Sequence, residues 1–332
     1  MYFIKLVAFG KECEHMKTLF GSRYGIENGI KKKDSPEIRF LQALASGDVD
    51  SAIALFDDNK QFGGLSAVDC PHGRYEGISR IKEFVETWYN WFHAESGEIE
   101  AVNQIQSGCR TALEFVFIFH MKDGSVQEIP MACAADLRDG GSRIDELRTY
   151  MNPALVEGYP IYRPPIFKEE KTHELRHEML SGVMPFYFKT VHELGMSHIP
   201  ETLTHTEPLK MGASYGNDPY FEGMYDEMTA QTSLPEDIEA PKYNLQDFVR
   251  LRMETIIDDG RICCVEWEQL ITKRGREERY RLSEPGISFY ERAADGWLKS
   301  IRIIDYANTE RKIDWDNCPY DRETAESINY LD

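Results

Sequence analysis

The chain has 332 residues, enough for two domains of ordinary size that each bury their own core. Its hydrophobic share of 42% and charged share of 29% belong to a globular chain and exclude a disordered one. A formal net charge of −19 argues against nucleic acid as a partner, because phosphate binding runs on clustered Lys and Arg and Lys31-Lys32-Lys33 is the one basic run of note. Seven cysteines, at 13, 70, 109, 133, 263, 264 and 318, form no Cys-x-x-Cys pair and read as reduced, buried thiols of a cytoplasmic protein. The apolar start, residues 1–10, is too short to span a bilayer and lacks the basic flank and cleavage site of a signal peptide, so no membrane partner is expected.

Residues 1–33 show no sustained periodicity and read as an N-terminal extension. Asp34-Ser35-Pro36-Glu37 opens the first helix: a capping side chain, an early proline and a carboxylate that complements the free amides of the first turn. Ile38, Leu41 and Ala45 follow at helical spacing, and Gly47 stops the run. Asp48 caps a second short helix carrying Val49, Ala52, Ile53 and Phe56. Ile78, Ile81, Val85, Trp88 and Phe92 then form one apolar stripe, which predicts a long third helix. After Gly97 the period changes to that of strands, over 99–106, 109–121, 126–137 and 143–151. The breaks at Ser107-Gly108, Asp123-Gly124 and Asp139-Gly140-Gly141 are hairpin chemistry.

The second half repeats the first. Gly47 to Gly64 aligns without a gap on Gly195 to Gly212, Tyr75-Glu76-Gly77 on Phe221-Glu222-Gly223, Leu113-Glu114-Phe115 on Val265-Glu266-Trp267, and Arg148 on Arg302. The anchors keep their order and the offset drifts only in loops, which points to two copies of one module. The expected organisation is an extension (1–33), a first module (34–153), a proline-rich linker (154–170), a second module (171–310) and an acidic tail (311–332). Pro235 and Pro241 fall where the second copy needs its long helix, which must therefore be shorter.

Three stretches carry a family resemblance: Phe40-Leu41-Gln42-Ala43-Leu44-Ala45-Ser46-Gly47-Asp48, Arg74-Tyr75-Glu76-Gly77-Ile78, and Ile144-Asp145-Glu146-Leu147-Arg148-Thr149-Tyr150. The second half answers with Gly286-Ile287-Ser288-Phe289-Tyr290-Glu291-Arg292 and Ile301-Arg302-Ile303-Ile304-Asp305-Tyr306. They resemble the nuclear transport factor 2-like superfamily, and within it the SnoaL-like group of polyketide cyclases and ketosteroid isomerases. The resemblance implies an α+β fold: two tandem cone-shaped half-barrels, helices on a curved antiparallel sheet, paired as an internal pseudo-dimer. The chain would then be a monomer or a homodimer. It implies a pocket for a small apolar or carbonyl-containing ligand, and isomerase or lyase chemistry that uses no cofactor; fold alone does not fix the activity.

Enolisation needs a carboxylate or imidazole base beside the acidic carbon and a donor to the developing oxyanion. In the first module Asp69 and His72 precede the long helix, where the family often places pocket-mouth groups; a turn built from Asp69, Pro71, His72 and Gly73 for backbone reasons is the competing reading. Tyr89, beside the apolar stripe, is a candidate donor or a core-edge tyrosine. Glu114 shares a strand face with Ala112, Val116 and Ile118: facing a cavity it is a candidate acid or base, and facing outward it is an interface acid. Glu266 at the matching place favours a role common to both copies. Phe62, Trp88, Phe92 and Tyr150 in the first module, and Asp218, Tyr220, Glu266 and Asp305 in the second, complete the candidate ligand-binding set. The two copies carry different polar groups at matching places, so one working pocket and one structural copy are expected, with the first module the working one.

One motif points elsewhere. His173-Glu174-Leu175-Arg176-His177 has the spacing of a zinc-peptidase helix. Its charged lead, Lys168-Glu169-Glu170-Lys171, reads as a solvated helix face at the start of the second repeat, so no metal is expected. A ligand-binding or assembly module without catalysis is the alternative to the enzyme.

Overall fold

A computed structural model of the chain describes residues 34–56, 64–67, 73–138, 140–151, 180–193, 209–213, 225–228, 249–272 and 281–305. The first unit opens with α1 (Pro36–Ser46), whose Pro36 starts the helix as expected and whose Gly47 closes it at φ 69°. Asp48 caps α2 (Val49–Ile53) by accepting the Ser51 amide at 3.0 Å. Two short strands, β1 (Gly64–Ala67) and β2 (Gly73–Glu76), precede the long helix α3 (Gly77–Phe92), which buries Ile81, Phe84, Val85, Trp88 and Phe92 along one stripe. The meander follows as β3 (Ala94–Ser107), β4 (Arg110–Met121), β5 (Val126–Arg138) and β6 (Arg143–Met151).

The second unit contains α4 (Met184–Glu193), β7 (Leu209–Ala213), β8 (Tyr225–Met228), β9 (Val249–Asp258), β10 (Ile262–Thr272), β11 (Arg281–Arg292) and β12 (Leu298–Asp305). The two sheets have the same strand order, β2-β1-β6-β5-β4-β3 and β8-β7-β12-β11-β10-β9. In each, one short strand runs parallel to the last long strand, β1 to β6 and β7 to β12. The irregularities match too. β3 skips a residue between Ala101 and Asn103 opposite β4, and β9 does so opposite Glu266 and Trp267; β5–β6 breaks register at Asp136/Leu137, and β11–β12 at Glu291/Arg292. A bulge bends its strand and tightens the twist, so matching bulges give both sheets the same curl.

Alternation along β4 to β6 sends two rows of side chains to opposite faces. Leu113, Phe115, Phe117, Phe119, Cys133, Leu147 and Met151 meet the helices, whereas Ala112, Val116, Ile118, Ala132, Ala134 and Tyr150 meet Ile257, Ile262, Cys264, Ile287, Phe289 and Ile304 of the other sheet. The layers therefore run helices, sheet, sheet, helix, and the α+β pseudo-dimer expected from the sequence is the observed architecture. Burial of both faces explains why β4 is apolar from Ala112 to Phe119 apart from Glu114.

Two expectations are corrected. The counterpart of α1 is α4, so the second unit's packing helix lies downstream of the 173–177 motif, which is outside the described residues. Residues 225–228, expected in a shortened long helix, form a strand paired with β7, because the equivalent of β2 falls there.

Candidate functional site

Among the described residues, buried polar groups lie in two layers of the molecule. The first lies between the sheets. Arg148 forks onto Glu266 at 2.6 and 2.9 Å, and Arg302 forks onto Glu114 at 2.7 and 2.9 Å. Each arginine also takes a carboxylate from its own sheet, Asp136 for Arg148 at 2.8 Å and Glu291 for Arg302 at 3.0 Å. The repeat matches Arg148 with Arg302 and Glu114 with Glu266, so each residue of one unit grips the counterpart of its own partner: the reciprocity of an isologous interface inside one chain. The third hydrogen bond differs, with Tyr150 donating to Glu266 across the interface at 2.8 Å and Asn103 donating to Glu114 within its own sheet at the same length.

This placement corrects three expected site residues. Glu114, Glu266 and Tyr150 face the other sheet and not the helices; they are saturated by each other and by the arginines. The alternation of Glu114 with Ala112, Val116 and Ile118 holds, and its face is the outer one. For Arg148, burial works against the charge, but Glu266, then Asp136, outweigh it and hold the guanidinium protonated well beyond its usual range. Burial and the Glu266 carboxylate push the Tyr150 hydroxyl well up, so it stays a donor.

The second layer lies between the first sheet and its helices. Trp88 and Phe92 are here, packed ring on ring with Phe84, Phe117 and Phe119 at centroid distances of 4.3 to 6.2 Å. They fill this end of the layer. Trp88 is 1% exposed and its indole N–H meets no acceptor. The Tyr89 hydroxyl donates to the Ala45 carbonyl, tying α3 to the end of α1, and burial pushes it up to about 12. That bond leaves Tyr89 as a helix tie.

At the opposite end sits a group that the sequence reading treated only as a helix-dipole carboxylate. Glu37, in the first turn of α1, is 0% exposed. The Gln104 amide donates to Glu37 Oε1 at 3.1 Å and to Ser35 Oγ at 2.8 Å, and Glu37 Oε2 has no partner. Gln104, Leu113, Cys133 and Thr149 form one row across β3, β4, β5 and β6. Burial, then the charge of Glu37, pushes the Cys133 thiol well up. In the next row Thr111 Oγ1 is also buried without a partner. The signal available in the sequence was a carboxylate one residue before Ile38 on the buried side of a short helix.

The same positions of the second unit are chemically different. Register equivalence and the Gly47–Gly195 alignment set Pro185 against Glu37, Ile256 against Gln104, Ser288 against Cys133 and Ile303 against Thr149. Trp267 lies flat on Gly286, and its indole donates to Ser288 at 2.7 Å; Ser288 and Tyr187 both bond Tyr290. Every polar atom of that cluster has a partner, and its carboxylate counterpart is a proline.

Asp69, His72, Phe62, Asp218 and Tyr220 lie outside the described residues. Asp305 ends β12 opposite Gly286. Among the described residues no three metal-ligating side chains cluster, and no helix is long and apolar enough to cross a membrane.

The two sheets share one strand order, and among the described residues the first unit carries its helices on one face of its sheet. No family model matches the sequence, and no curated protein matches it. Solved structures with a similar fold include a protein with a ketosteroid isomerase-like fold from Catenulispora acidiphila in complex with trimethylamine, at 18% identity and TM-score 0.33, covering 38% of this chain and 92% of that one. A protein described as a SnoaL-like polyketide cyclase from Shewanella denitrificans matches at 11% identity and TM-score 0.31, covering 37% and 92%. A protein described as an isomerase from Bacillus subtilis matches at 22% identity and TM-score 0.32, covering 37% and 88%.

Proposed function

We propose that the first unit is a small-molecule site that carries out acid–base chemistry on a carbonyl compound without a cofactor, and that the second unit is its structural mate. The observation that carries this reading is Glu37: a carboxylate with one oxygen unpartnered, buried in an apolar layer, at the position where the second unit has Pro185. Buried polar atoms without partners cost stability, so their retention in one unit favours a ligand there. In the proposed reaction a base, Asp69 or His72, takes a proton from the carbon beside the carbonyl. The C–H electron pair becomes the enolate C=C while the carbonyl π pair moves to oxygen, which the unpartnered Trp88 N–H stabilises. In a β,γ-unsaturated substrate, return of the proton at the γ-carbon, with the C=C shifting into conjugation, completes an isomerisation.

The test is exchange of the α-protons of 2-tetralone in D2O, followed by proton NMR. The reading expects exchange above the buffer rate, falling by about two orders of magnitude in an Asp69→Asn/His72→Gln double variant that melts like the parent. Unchanged exchange in that variant removes the base assignment. The second reading, a binding module without catalysis, draws on the engagement of Tyr89 with Ala45 and of Glu114 and Glu266 with the arginines. Binding of the probe without exchange selects it.

A further inference from the structure

We infer that the ligand of the first unit carries a positive charge, a protonated amine, and that Glu37 receives it. The inference rests on the small-molecule reading of this site and adds the chemistry of one end of the ligand. Three observations converge. Glu37 is fully buried, with Oε1 held by Gln104 and Oε2 without a hydrogen-bond partner. Arg148 is the one buried basic side chain among the described residues of the first unit, and it points to the other face of the sheet, consumed by Glu266 and Asp136. The row of the sheet that carries Gln104 beside Glu37 is otherwise Leu113, Cys133 and Thr149.

A buried carboxylate is stable only when paired, and a charge-assisted hydrogen bond to an ammonium is the strongest pairing a small organic ligand can offer. The free amides at the start of α1 favour negative charge at this end of the helix. Gln104 acts as the positioning residue: its amide fixes Oε1 and Ser35 together, which turns Oε2 toward whatever occupies the site. A chain of net charge −19 also raises the local concentration of cations around it, which favours the encounter. The second unit, with Pro185 and Ile256 at the two key positions, has no group to receive a cation there.

The experiment is calorimetry of the intact chain with benzylammonium chloride and with its neutral isostere, benzyl alcohol, at physiological salt and neutral pH. The charged probe is expected to bind about tenfold tighter than the alcohol, as one charge-assisted bond requires. That preference should vanish in Glu37→Gln. It should vanish independently in Gln104→Lys, which supplies an internal ammonium to the same carboxylate. Equal or tighter binding of benzyl alcohol overturns the inference and leaves the pocket reading standing. A preference that survives either variant places the charge recognition elsewhere and overturns the inference as well. Failure of both probes to bind removes the small-molecule reading and the inference with it.

Discussion

The helix-facing layers of the two units share a frame and differ in how they are filled. In the first unit Phe115 sits opposite Met131, and polar atoms of Glu37, Thr111 and Trp88 lack partners. In the second, the equivalent pair is Trp267 opposite Gly286: the larger ring is accommodated by the loss of a side chain, and its N–H is answered by Ser288. Polar satisfaction is not conserved across the exchange. Among the described residues the Trp267–Ser288–Tyr290 cluster has its hydrogen bonds met and Arg292 Nε does not, whereas Glu37, Thr111 and Trp88 of the first unit each leave a polar atom unmet. The helices are anchored differently too. Arg292 forks onto Asp258 at 2.8 and 2.7 Å and Ser181 donates to the same carboxylate just ahead of α4, a clamp replaced in the first unit by the Ser35–Gln104–Glu37 set.

The largest way to break the comparison is at the shared interface. Arg302→Met leaves Glu114 buried without a cation, while Glu291 keeps Arg261 at 3.3 Å, and should cost about 3–5 kcal/mol in chemical denaturation. Arg148→Met should cost about as much, because Glu266 loses its cation while Asp136 keeps Arg110 at 2.8 Å. Next, Gly286→Ala drives a methyl group to within 2.3 Å of the Trp267 ring and should destabilise by about 1–3 kcal/mol through repacking, read from the urea midpoint. Ser288→Ala should cost roughly 1–2 kcal/mol by orphaning the Trp267 N–H, making the second unit resemble the first in that respect.

The acid limb sharpens the contrast between the two anchors. Burial pushes the Asp258 carboxyl up, but the hydrogen bonds from Arg292 and Ser181 outweigh it and hold the group below the ordinary value of 3.8. A depressed carboxylate contributes stability that is present above its unfolded value and lost as pH falls through the folded one, so melting temperature should drop as the solution is acidified below about 4. In Arg292→Met that drop should be shallower, because the clamp is already gone. The smallest effect has the opposite sign: Glu37→Gln should raise the stability of the ligand-free protein by about 1 kcal/mol, as expected where function retains a buried carboxyl oxygen without a hydrogen-bond partner.

Much of the frame was legible in the sequence because periodicity and turn chemistry are local. The stripe from Ile81 to Phe92, the Gly47 stop and the hairpin breaks at Gly108 and Gly124 each specify an element within a dozen residues. The matching Glu and Arg of the two halves were visible as well, but their role was not. Which face of β4 meets a helix and which meets another sheet depends on contacts 188 residues away, such as Arg302 to Glu114. When both faces are apolar, alternation gives the two sets and not their sides. Glu37 was missed for a related reason: a carboxylate in a first helical turn has a sufficient local explanation, and only the sheet beneath it reveals that it is buried. The second unit's β8 was read as helix because proline-broken, acidic sequence carries little period of either kind.

The claim that one unit works and the other supports it is tested most directly by methionine-methyl NMR of the whole protein during titration with 2-tetralone. Met131 and Met151 line the helix-facing side of the first sheet, and Met184 lies in the core of the second unit. The account predicts that the first two methyl signals shift saturably while that of Met184 stays in place. Movement of Met184 with Met131 and Met151 unmoved, or no movement of any of them, contradicts it.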